Sequence, residues 1–103
     1  MENLPKEFEE ELRRKTAQAK KEYHYNPTRF QQMMAEYGAV NTAKRLIGKA
    51  LETGYPSDGY TTLLLHGRLD LTVEDSVRDP KYRQLFTDGE ISCCEALLGA
   101  QDR

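Results

Sequence analysis

Arg68, Asp70 and Glu74 are the nearest approach in this sequence to a catalytic set. Two carboxylates and a guanidinium this close together can move protons and steady a developing charge. The same groups can instead hold a linker by charge-assisted hydrogen bonds, around Leu69 and Leu71. No histidine accompanies them at catalytic spacing, and no glycine-rich phosphate loop is present. They are therefore expected to form a structural clasp, with Asp70 turned toward Arg68 or free backbone N–H groups.

Other reactive side chains are scattered. His24 and His66 each stand alone and suit surface or helix-end positions, and a metal would need more ligands. Cys93 and Cys94 are neighbours, so a disulfide between them would close almost no loop. They read as two reduced thiols on one helix, which points to a reducing, cytoplasmic compartment. No cofactor, metal or catalytic residue is expected. Two surfaces remain. Tyr23, Tyr25 and Tyr37 sit near Phe30 around the first helix junction, and tyrosine is favoured at protein interfaces. Lys44, Arg45 and Lys49 lie on the first helix of a possible helix-turn-helix spanning residues 38–66. Its second helix, about Gly59 to His66, carries Tyr60, two threonines and three leucines where base-reading donors are wanted.

The elements that must position these groups are helical throughout. Pro5 opens a charged helix over about 5–23, with glutamates first and basic residues last, in the order that the helix dipole favours. Leu4, Phe8, Leu12, Ala19 and Tyr23 form its narrow apolar stripe, and the rest is expected in water. Asn26-Pro27 predicts a cap and first turn for a second helix that ends at Gly38. The third covers about Val40 to Leu51, with Leu46 in its apolar face. Ser57 or Asp58 caps a fourth, whose three leucines predict the most buried element. Thr72 caps a short fifth helix, and Asp79-Pro80 opens a turn through Tyr82 to Phe86. Thr87 and Glu90 form a capping box for the last helix.

The arithmetic agrees with a single all-α domain. The chain has 103 residues, 38% apolar and 31% charged. That is enough for one small core covering about 26–98 in an irregular or orthogonal bundle of five to six short helices. The net charge of −2 argues against a partner rich in phosphate, because phosphate neutralisation supplies most of the affinity for nucleic acid. Residues 1–52 carry ten basic and eight acidic groups, and residues 53–103 carry five and nine. No apolar run approaches the ~20 residues that span a bilayer, and the acidic start has no signal-peptide core.

The run Tyr25-Asn26-Pro27-Thr28-Arg29-Phe30, the block Gly67-Arg68-Leu69-Asp70-Leu71-Thr72-Val73-Glu74 and the segment Leu85-Phe86-Thr87 with Glu90-Ile91 resemble a group of short bacterial proteins of uncharacterised function. The similarity covers about residues 23–98. It implies a bacterial cytoplasmic protein and brings no catalytic residues. The combined expectation is a non-enzymatic helical module that binds another protein, or weakly binds itself. The alternative is a nucleic-acid binder using residues 38–66.

Overall fold

Local signals at the helix ends set most of the architecture. A computed structural model describes residues 3–99. The ends of the expected 1–103 domain, residues 1–2 and 100–103, lie outside the described residues. Helix α1 runs Leu4–Tyr23. The Asn3 side chain accepts from the Lys6 N–H at 3.3 Å, and Pro5 occupies the first turn. His24 closes the helix in the left-handed region, φ 56°, with its N–H on the Lys20 carbonyl.

Helix α2 runs Thr28–Tyr37 and corrects the expected cap. Pro27, not Asn26, stands at the cap position, and no side chain caps this end. The Asn26 carbonyl instead accepts the Thr28 N–H at 2.8 Å, and buried Pro27 sets the entry to the helix. Gly38, at φ 83°, is the sole joint between α2 and α3, Ala39–Thr53. A side chain there would be strained, because only glycine enters this region freely. Gly54 ends α3 in the left-handed conformation.

The remaining starts follow the expected caps. Ser57 Oγ accepts the Tyr60 N–H and opens α4, Asp58–Leu65. Residues Leu69–Leu71, which alternate like a strand in sequence, form one 3-10 turn. Thr72 Oγ1 accepts the Asp75 N–H and opens α5, Val73–Arg78. After a second 3-10 turn at Arg83–Leu85 comes α6, Asp88–Gly99. Its capping box is reciprocal: the Thr87 N–H donates to Glu90 Oε1 at 2.8 Å, and the Glu90 N–H to Thr87 Oγ1 at 3.1 Å. Among the described residues there is no strand. Over the described residues the fold is an all-α single domain of six α-helices.

Helices α1, α3, α5 and α6 enclose the main core. Phe8 lies at its centre, fully buried, with Tyr82 and Phe86 each edge-on at 5.3 Å between ring centroids. A second, smaller cluster joins Ala19, Leu63 and Leu71, with Tyr23 and Tyr25 against it. Two expectations change here. Helix α4 is not the most buried element, because Leu65 is 82% exposed. Leu63 and Leu65 lie about 200° apart on a helix, so an element resting on one side buries only the first. Leu46 is only half-buried, and the Leu51 side chain at the end of the same stripe is exposed.

In urea melts, Leu63→Ala is expected to cost about 2 kcal/mol, the low end for a buried leucine, since its cluster is small. Leu46→Ala should cost less than about half of that. Equal costs would place Leu46 in the core.

Candidate functional site

The expected clasp divides in two. Arg68 and Asp70 do pair: Nε and Nη2 of Arg68 donate to the two oxygens of Asp70 at 3.0 and 3.1 Å. Arg68 Nη1 also donates to Glu22 Oε1 and to the Tyr23 hydroxyl, both at 3.0 Å. The clasp thus ties the linker after α4 to the end of α1. The Arg68 guanidinium holds the Asp70 carboxyl below the ordinary carboxylate range. Most of the Asp70 side chain remains in water, so the pair is a surface contact of small energy.

Glu74 does not belong to that clasp. In the first turn of α5 it points inward and is 3% exposed. Its Oε2 accepts from Ser57 Oγ at 3.2 Å, and its Oε1 has no partner. Burial pushes its carboxyl above the ordinary range. An acid whose folded pKa is raised stabilises the fold fully below its unfolded value, about 4.3, and that contribution is lost as pH rises through the folded value. Glu74→Gln removes the ionisation. At pH 8 the variant should be more stable by roughly 1–2 kcal/mol, the scale of a buried polar group without its partner. At pH 4 the two proteins should melt together. Paired melts at the two pH values check this; a difference that does not grow with pH would show Glu74 uncharged throughout.

A second buried charge escaped the sequence reading. Lys15 fills the gap in the α1 stripe between Leu12 and Ala19, and is 5% exposed. Its Nζ donates to the Thr72 carbonyl at 3.2 Å and to Asp75 Oδ2 at 3.3 Å. Burial lowers its pKa, against the opposing pull of Asp75. The signal was available: a position three residues after one stripe member and four before the next must face inward whatever its type.

The thiols are inert by environment. Cys94 is fully buried and Cys93 half-buried, and burial raises both pKa values. The thiolate, which is the reactive form, is thereby disfavoured. Among the described residues no group of three His, Cys, Asp or Glu could hold a metal ion. Among the described residues no helix is long and apolar enough to cross a membrane.

The three tyrosines do not make one free surface. The Tyr23 ring stacks on His66 at 4.4 Å and accepts from Arg68 through its hydroxyl. Tyr25 packs on the small cluster, and its hydroxyl lies so close to Gly59 that a Cβ there would meet it at 3.2 Å. Tyr37 lies under the Arg45 guanidinium, 3.9 Å from the ring centroid. The three basic residues also separate. Lys44 Nζ pairs with Glu90 Oε1 at 2.8 Å and sits over the Phe86 ring, so it belongs to the α3–α6 contact. Burial opposes ionisation of Glu90, but Lys44 and the Thr87 N–H hold its carboxyl below the ordinary range.

Arg45 and Lys49 line a groove of about 1140 Å3 instead. Its walls are the start of α2, the second half of α3 and the loop into α4. Pro27, Phe30, Met33, Leu46 and Ala50 give it apolar lining. Arg29, Arg45 and Lys49 supply cations, Glu52 and Asp58 carboxylates, and Tyr25 and Tyr55 aromatic rings. Tyr55 is 76% exposed. Ser57 connects this wall to the buried Glu74. The groove has the composition of a recognition surface: apolar area with tyrosine and arginine around it.

Comparison with protein-family models, with curated proteins and with solved structures yields no match for this chain.

Proposed function

We propose that this chain is a non-enzymatic helical module that binds another protein through the groove between α2, α3 and the α3–α4 loop. The observation that carries this reading is the groove itself. It joins apolar side chains from two helices to Tyr25, Tyr55, Arg29 and Arg45, the residue types that dominate binding hot spots. The buried ionisable groups support the same reading from the other side. Glu74 is tied to Ser57 of the groove wall, and Lys15 ties α1 to the start of α5, so both serve the scaffold. A bacterial cytoplasmic setting is part of the proposal. It is supported by the resemblance of the Arg68–Glu74 block and by two cysteines that form no disulfide.

The test is capture from the native host with two baits, the wild type and Ala50→Glu, followed by quantitative mass spectrometry. Ala50 is half-buried in the groove lining, and a carboxylate there opposes any apolar partner. Proteins retained by the wild type and lost with the variant support the reading; identical sets overturn it.

The nucleic-acid reading has a direct test of its own. At about 0.15 M salt the protein should retain no duplex DNA below ~10 µM, because nonspecific affinity follows the number of phosphate contacts. Lys44 is neutralised by Glu90, and the exposed α4 positions include Thr61 and Leu65. A salt-dependent gel shift lost in a Lys44, Arg45 and Lys49 triple alanine variant would reverse the ranking.

A further inference from the structure

Resting on the binding reading above, we infer that the groove's occupant is an amphipathic helix of a different protein, with acidic residues flanking its apolar stripe.

The helical form follows from what the walls can offer. Every wall is a helix or the turn between helices, and among the described residues there is no sheet edge to which a strand could add. Along the second half of α3 the backbone hydrogen bonds are made within the helix, so recognition on that wall rests on side chains. That is the helix-in-groove mode, read at i, i+3, i+4 and i+7. The size agrees: a helix is about 10 Å across, and a groove of about 1140 Å3 accepts several of its turns half-sunk.

The sign of the flanks follows from charge. The protein is acidic overall, yet Arg29, Arg45 and Lys49 gather at this groove. None of the three has an ion-pair partner among the described residues, and Arg45 is held by the Tyr37 ring, which leaves its charge unneutralised. Arg45 and Lys49 stand one turn apart on α3, so they present two cations along one side of the groove. Glu52 and Asp58 lie toward the α3–α4 loop and leave the cations in excess. Acidic flanks would meet the cations, steer the encounter and exclude basic helices.

A second copy does not supply such a helix from its most acidic element. Helix α1 carries Glu7, Glu9, Glu10 and Glu11, but Phe8, Leu12 and Ala19 of its apolar stripe are buried in its own core.

The test is selection from a display library of helix-biased 18-residue peptides, with a fixed apolar stripe and randomised flanks. Three targets are used: wild type, Ala50→Glu, and the double variant Arg29→Glu, Lys49→Glu. The double variant changes two exposed side chains, and circular dichroism checks that all three fold. Wild type should enrich clones with net acidic flanks, Ala50→Glu should retain fewer than a tenth of them, and the double variant should lower the acidic-to-basic ratio at least tenfold. Clones that depend on Ala50 but show no charge preference would overturn the acidic helix and leave the binding groove standing. Absence of any Ala50-dependent clone would overturn both. A concentration-dependent dimer in sedimentation, lost in Ala50→Glu, would put a second copy in the groove and overturn the inference.

Discussion

Replacing Phe8 by alanine should lower the unfolding free energy by about 3–5 kcal/mol, the usual cost of emptying a buried phenylalanine site. Phe8 has no exposed surface, and its ring is met edge-on by both Tyr82 and Phe86. Its partners belong to the segment between α5 and α6, so the side chain fastens one end of the sequence to the other. A domain of this size has only about 5–15 kcal/mol of stability in total, and the variant should be marginal near body temperature. Denaturant melts should show a lower midpoint with an unchanged slope, because the surface exposed on unfolding is nearly the same. Phe8→Leu should recover much of the loss. A cost below about 1.5 kcal/mol would mean that the aromatic cluster collapses around the gap.

The second large effect is an asymmetry two turns further along α1, at Lys15. Asp75→Ala should cost about 3 kcal/mol, because it strips Lys15 of its carboxylate and leaves a buried ammonium on one backbone carbonyl. The low end of the range for a broken buried pair applies, since part of Asp75 is in water. Lys15→Met should stay within about 1 kcal/mol of the wild type, for it removes the charge that had to be desolvated and keeps the volume. Lysine with a lowered folded pKa favours the fold fully only above its unfolded value near 10.4, and that advantage fades as pH falls through the folded value. At neutral pH the ammonium is therefore a burden that Asp75 offsets. The two single variants, melted side by side at pH 7, check the ordering. If Lys15→Met proved the worse of the two, the ammonium would be a net stabiliser.

These two sites also show where reading the sequence succeeds and where it stops. Caps at Ser57, Thr72 and Thr87 are legible because a side chain bonds a backbone group three residues away, and so carries its own evidence. Asn26 matched the same pattern and failed, because buried Pro27 took the cap position. By chemical type Lys15 belongs in solvent and Glu74 in a clasp. Periodicity placed both inside, and tertiary partners 60 and 17 positions away made that tolerable. The groove was not legible at all. It exists only because α2 and α3 diverge from one glycine and the α3–α4 loop closes their open side.

The fastening of Phe8 has a consequence for how the protein is made. Glu7 and Tyr82 lie 75 positions apart. A ribosome adding about 5–20 residues per second leaves α1 waiting roughly 4–15 s before its aromatic partners emerge. Twenty residues suffice for a helix to flicker into being unaided, and the Glu9–Arg13 and Glu11–Arg14 pairs support it from within. During that wait Phe8 and Leu12 face water beside the translation machinery, where other nascent chains offer sticky company. The dense charge on the rest of α1 then acts as a travelling coat, keeping the newborn segment dissolved until the far end of the chain arrives to cover it.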